Sequence, residues 1–223
     1  MQYVRDLLSA GDAAAAGGAA AGAAADATAE PGRPATLLVI DALDEYDWKE
    51  IFAGDRLSDG RTIEVVQVGW DRLLVCADSP GMSNTPALVH VKPAADGSGG
   101  GTIRPDFVLV RNEARGATHQ EDYRGALFGL MYAGIPAVNS LESIYSFLER
   151  PIVQGELHKL QRRLGSEAFP VIAQSYFSSH HAMMYGGAFP AVLKVGHAHA
   201  GQGKMRVPNH VSTAQQRSIC LHS

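Results

Sequence analysis

The sequence predicts an open α/β sheet in its first half followed by a cation-bearing hairpin, and three observations carry that prediction. Thr36-Leu37-Leu38-Val39-Ile40-Asp41 and Asp106-Phe107-Val108-Leu109-Val110-Arg111 are continuous apolar runs of the kind buried on both faces of a parallel sheet. After the second run, strand, helix and strand signals alternate in the rhythm of a right-handed βαβ unit. Finally, the apolar run Phe189-Pro190-Ala191-Val192-Leu193-Lys194-Val195-Gly196 ends in a lysine and passes through a glycine-bearing turn. It resumes at Lys204 with an alternating, strand-like tail.

Composition bounds the function. The chain has 223 residues and a net charge of -4, which suits one large domain or one domain with extensions. Its hydrophobic content is 46%, but much of that is alanine near the N-terminus, and large core-forming side chains begin at Leu37. The charge is too nearly balanced for a general nucleic-acid binder, and no basic block is present. Cys76 and Cys220 stand far apart without metal-ligand spacing and read as reduced thiols. No apolar run is long enough to span a bilayer, and the N-terminus lacks the core of a signal peptide, so a soluble intracellular chain is expected.

Taken in order, residues 1–34 comprise a short amphipathic opening (Tyr3, Val4, Leu7, Leu8) and an Ala/Gly-rich linker at residues 13–29 closed by Pro31, Gly32 and Pro34. Nothing in that linker is large enough to pack, and a disordered segment is expected. After the first buried strand, Trp48, Ile51 and Phe52 are spaced for a short helix laid back on the sheet and ended by Gly54. Residues 61–68 read as a strand, with further strands at residues 73–76 and 87–91; residues 96–101 (DGSGGG) read as an exposed loop. Thr118 and Glu121 have the spacing of a capping box, predicting a helix with Tyr123, Leu127, Leu130 and Met131 on one stripe and Gly134 and Pro136 at its end. Residues 135–139 read as a short strand, and Ser140 as the cap of the next helix. Pro151 sits well in the first turn of another, with Val153, Leu157, Leu160 and Leu164 as its stripe and Gly165 as its stop. Residues 169–177 and 189–195 read as strands joined by a polar His180-His181 loop. Residues 208–223 have no period and read as an unstructured tail.

The chemistry concentrates in the hairpin. Backbone N–H groups at a glycine-bearing tip, flanked by Lys194 and Lys204, could lid the phosphates of a nucleotide; a flexible hairpin with solvated lysines fits the same string. His197 and His199 have no third ligand at metal spacing and read as loop histidines near phosphate. Asp41 and Asp44 have no partner that would activate a nucleophile, which leaves capping or solvation. No catalytic triad can be argued, and no catalytic or metal-ligating residue is assigned.

These residues resemble a known family. Gly134-Ile135-Pro136-Ala137-Val138-Asn139-Ser140-Leu141-Glu142-Ser143-Ile144-Tyr145-Ser146-Phe147, Glu121-Asp122-Tyr123-Arg124 and residues 104–111 are similar to the synapsins. The string Lys194-Val195-Gly196-His197-Ala198-His199-Ala200-Gly201-Gln202-Gly203-Lys204 is similar above all. The resemblance covers residues 37 to about 207. It implies an α/β fold in which residues 35–140 are a pre-ATP-grasp open sheet and residues 141–207 the first part of an ATP-grasp domain. It further implies a cytoplasmic, peripheral phosphoprotein on the synaptic-vesicle membrane of the presynaptic terminal. Such a protein binds phospholipid and actin, forms homo-oligomers, clusters vesicles and regulates neurotransmitter release; it is not an enzyme and has no nucleic-acid partner. An ATP-grasp ligase fragment and a purely structural interaction module are the alternative readings.

By the same resemblance ATP, with a divalent cation in the intact family, is the cofactor. Lys194 would reach its phosphates, while Gly201, Gly203 and Lys204 would close over them. Arg150 stands where the family's helix-start lysine serves the phosphates, which keeps the charge but changes its geometry. The family's second ATP-grasp half, with its metal ligands and adenine-binding strand, is not in this sequence, so weak nucleotide binding and exposed strand edges with low solubility are expected. In Arg5-Asp6-Leu7-Leu8-Ser9, Asp6 stands where an arginine would guide a basophilic kinase to Ser9.

Overall fold

The computed structural model describes residues 33–42, 46–79, 87–116, 119–179, 189–194 and 204–208. In chain order these form β1 (Ala35–Ile40), α1 (Trp48–Ile51), β2 (Ile63–Val68), β3 (Leu73–Ala77), β4 (Ala87–Val91), β5 (Gly101–Ile103), β6 (Phe107–Val110), α2 (Arg124–Tyr132), α3 (Leu141–Leu148), α4 (Arg150–Leu164), β7 (Ala191–Lys194) and β8 (Lys204–Val207). The chain divides into two compact units between Tyr145 and Ser146.

The first unit is built on β1. Its six residues are all buried, and it lies at the centre of a parallel sheet of order β2-β1-β6, with Leu37 level with Val65 on one side and Phe107 on the other. That is what an apolar run without alternation demands, because both faces of the central strand are covered. Leu37, Val39, Val65, Phe107 and Leu109 form one cluster with Trp48 and Phe52 of the α1 turn. Removing each such side chain from water is worth about 1.5–3 kcal/mol.

Helix α1 is placed as its sequence spacing predicts. The Asp47 carboxylate accepts hydrogen bonds from the backbone N–H of Lys49 (2.9 Å) and Glu50 (3.1 Å), and Gly54 turns the chain away at φ +80°. Asp41, just after β1, is neither cap nor solvated. It is buried, and its Oδ2 accepts from the Trp48 indole Nε1–H at 2.8 Å, while the Arg111 guanidinium lies 5.8 Å from the Trp48 ring centroid. Asp44 lies outside the described residues.

At the opposite end of the sheet, the Asp106 carboxylate receives the Arg33 guanidinium at 2.7 and 2.9 Å and the Thr36 N–H at 2.7 Å. One side chain thereby ties the entry of β1 to that of β6.

Strands β3, β4 and β5 form a separate antiparallel sheet, with Val75 opposite Val89 and Val89 opposite Ile103. Alternation decides its faces: Ala87, Val89 and Val91 are buried, while Leu88 and His90 are exposed. Helix α2 packs against β3 at Gly129, where a Cβ would fall 2.7 Å from Val75 Cγ1, so the close approach needs glycine.

Four local expectations are corrected. The strand pattern at residues 73–76 and 87–91 is right, but these strands make a second sheet, and Gly101, expected in the loop, begins β5. Helix α2 starts at Arg124 behind a 3-10 turn at His119–Glu121; its cap is Tyr123, which supplies no side-chain bond, and Thr118 lies outside the described residues. The short strand at residues 135–139 contracts to one parallel bridge, Val108 with Ala137, around the Val108 N–H to Pro136 carbonyl bond of 2.9 Å. Proline allows the chain to accept there without donating.

The last correction concerns residues 169–177, which form no strand. Ile172 and Tyr176 are 81% and 74% exposed, and the segment is held instead by the Gln174 amide donating to Gln154 Oε1 at 3.0 Å. β-Branched and aromatic residues favour a half-buried pleated surface, and among the described residues no neighbouring strand offers one.

The helical signals after the sheet hold. Ser140 Oγ accepts the Ser143 N–H at 3.1 Å at the start of α3. Pro151 occupies the first turn of α4, and Gly165 ends it at φ +87°. The α4 stripe is only partly covered: Val153, Leu157 and Leu160 are half-buried, Leu164 is 52% exposed, and no residue of the helix is fully buried.

Candidate functional site

Of the expected phosphate-binding residues, Lys194 and Lys204 lie on the β7–β8 hairpin. The register pairs Ala191 with Val207, Val192 with Arg206, Leu193 with Met205 and Lys194 with Lys204. Residues directly opposite share a face, so two faces follow. Ala191, Leu193, Met205 and Val207 make the covered one, with Val207 buried and the other three partly so. Val192, Lys194, Lys204 and Arg206 make the exposed one. Alternation in Lys204-Met205-Arg206-Val207 is the whole cause: the apolar members anchor the strand and turn its two cations outward.

Lys194 and Lys204 thus stand directly across from each other at the last rung of the ladder, where the chain leaves for residues 195–203 and returns. Like charges facing across a rung oppose pairing. Among the described residues no carboxylate forms an ion pair with Lys194, Lys204 or Arg206. Two ammonium groups and a guanidinium on one wet face, without a protein counter-charge, suit a multiply charged anion, and phosphate oxygens are the natural acceptors for both donor types.

Arg150 is exposed and opens α4, whose first backbone N–H groups carry the positive end of the helix dipole. It lies on α4, whereas Lys194 and Lys204 lie on β7 and β8. The structure therefore brings the two lysines together and leaves Arg150 on a separate element. Gly201, Gly203, His197, His199, the His180-His181 loop, Ser9 and the N-terminal linker lie outside the described residues. Arg206 was not among the expected site residues. The signal was present, since a residue two positions beyond Lys204 on a strand must share its face.

Among the described residues, no group of three His, Cys, Asp or Glu side chains could hold a metal ion. One strongly perturbed carboxyl exists elsewhere: Asp122 is held at a pKa of about 2, first by the hydrogen bonds of the Arg124 side chain, at 2.8 and 2.5 Å. This pair joins the residue before the Tyr123 cap to the first residue of α2 and fixes the turn into that helix.

Comparison with known proteins gives two matches to one family. Residues 30–137 match the synapsin pre-ATP-grasp domain, and residues 139–221 match the synapsin ATP-binding domain. The chain is also 38% identical over 175 residues to a protein named synapsin from Drosophila melanogaster. That alignment takes in 78% of this chain and 16% of the fly protein, so the chain spans about one-sixth of its relative's length. The parallel sheet around β1 falls in the first matched domain and the dilysine hairpin in the second.

Proposed function

Because this chain belongs to the synapsin family, we propose that it serves as a peripheral synaptic-vesicle protein whose nucleotide-binding domain engages ATP phosphates through Lys194 and Lys204. The observation that carries the nucleotide part is the register of β7 and β8, which sets these lysines opposite each other with no carboxylate paired to either among the described residues. ATP supplies the anion for that pair. Lys194 and Lys204 would hold it by charge and hydrogen bonding, and Gly201 and Gly203 would bring backbone N–H groups to the same phosphates. Arg150 would add a further cation at the start of α4. Any divalent cation accompanies the nucleotide, because the described residues provide no cluster to bind it on their own. The chain binds nucleotide without turning it over, and binding modulates its association with vesicles.

The vesicle part rests on the family alone: association with phospholipid and actin, homo-oligomerisation, vesicle clustering and control of transmitter release. It is compatible with one structural fact, that no described helix is long and apolar enough to cross a membrane.

Calorimetry with Mg-ATP tests the nucleotide reading. A few exposed cations give weak affinity, with dissociation constants on the order of 0.1–1 mM. Lys194→Met and Lys204→Met each abolish the heat of binding while leaving circular dichroism unchanged. Absence of binding by the unmodified chain, or binding indifferent to both substitutions, overturns the reading. Flotation with purified synaptic vesicles, with and without ATP, tests the vesicle part; a chain that stays at the bottom of the gradient in both refutes it.

A further inference from the structure

The exposed face of the hairpin carries a third cation beyond the two lysines, and we propose that Arg206 is a phosphate-binding residue that extends the dilysine site into a three-cation cradle for a polyphosphate chain. The inference builds on the nucleotide reading and adds to it a residue and a preference: a run of linked phosphates over a single phosphate.

The argument is geometric. Arg206 lies opposite Val192, on the rung next to Lys194 and Lys204 on the same face, and strand geometry sets successive same-face rungs roughly 6.6–6.8 Å apart. Directly opposed Cβ atoms are about 4.5–5.5 Å apart and diagonal ones about 7–8 Å. One compact phosphate can sit between the two ammonium groups. A linked chain of phosphates is long enough to reach the guanidinium as well. The guanidinium fork also binds phosphate oxygens bidentately, which an ammonium cannot do.

Two further observations point the same way. Val192, across from Arg206, is 61% exposed, so no bulky or charged neighbour fills the space in front of the guanidinium from the facing strand. Met205 and Val207 turn toward the covered face, so the register keeps the Arg206 side chain on the same face as Lys194 and Lys204. Among the described residues, Arg206 has no carboxylate partner to satisfy it.

The test measures binding of Mg-ATP, inorganic triphosphate and inorganic phosphate by calorimetry to the unmodified chain, Arg206→Gln and Arg206→Lys. Loss of a charge-assisted hydrogen bond predicts that Arg206→Gln weakens ATP and triphosphate by about three- to tenfold, while phosphate changes by less than about twofold. Arg206→Lys recovers part of the loss. Circular dichroism and the thermal midpoint of both variants confirm that the hairpin unit remains folded.

An unchanged triphosphate affinity in Arg206→Gln overturns the proposal, and if Lys194→Met still abolishes ATP binding, the dilysine reading survives it. Binding of triphosphate but not ATP, with the Arg206 dependence intact, supports the cradle and refutes the nucleotide. Failure of the unmodified chain to bind either polyphosphate overturns both.

Discussion

At the scale of single residues, the polar contacts that matter are those holding backbone ends in place. Asp106 accepts from Arg33 Nη2 through both its oxygens and takes the Thr36 N–H as well. Asp106→Asn keeps the volume but leaves one of those donors without an anion, and it is expected to lower the unfolding free energy by about 1–3 kcal/mol in urea titration. Asp122 behaves differently because its carboxyl titrates far below the ordinary range, at about 2. Since the folded value is depressed, its contribution is full above the unfolded value of about 3.9 and is lost as pH falls toward 2. Urea midpoints at pH 7, 4 and 2.5 should therefore show a smaller acid loss in Asp122→Asn than in the unmodified chain. Arg206 shows what a residue-by-residue reading overlooks. Its place beside Lys204 follows from strand alternation alone, although the family-like string of residues stops at Lys204.

At the scale of elements, legibility followed how local the cause was. The unbroken apolar runs of β1 and β6 were readable because burial on both faces writes itself into consecutive residues. The Ser140 cap and the Pro151 and Gly165 boundaries were readable because each depends on contacts within a turn. Ser140→Ala should cost about 1 kcal/mol, measurable as earlier loss of helix signal on urea titration. The separate β3-β4-β5 sheet was not readable, since alternation says that a strand has two faces but not which strands it joins. Residues 169–177 failed for a related reason: propensity supplies the side chains of a strand, and only a neighbour supplies the ladder. The approach of α2 to β3 was equally hidden, because nothing local marks Gly129 as a contact point. Gly129→Ala places a methyl on Val75 and should destabilise by about 1–3 kcal/mol, read as a lower thermal midpoint with little change in helix content.

At the scale of the whole chain, burial is unequally shared. In the first unit, β1, β4, β6 and α2 contribute fully buried side chains, whereas α4, the longest described helix, contributes none. Helices of that length draw most of their stability from tertiary packing. Hydrogen exchange should find β1 and β6 amides protected to the level of global unfolding and α4 amides exchanging much sooner; equal protection of the two would contradict this distribution.

The facing lysines of the hairpin also invert the usual response of a protein to its ionic medium. Exposed salt bridges weaken as electrolyte is added, because attraction is screened. Here the charges that face each other repel, and screening acts in favour of pairing. The Debye length of about 8 Å at physiological ionic strength is of the same order as the spacing across such a rung, so added electrolyte lowers the cost of that rung and dilution raises it. The mouth of the hairpin is in this sense a gauge of the anions around it, tightest in the medium richest in them.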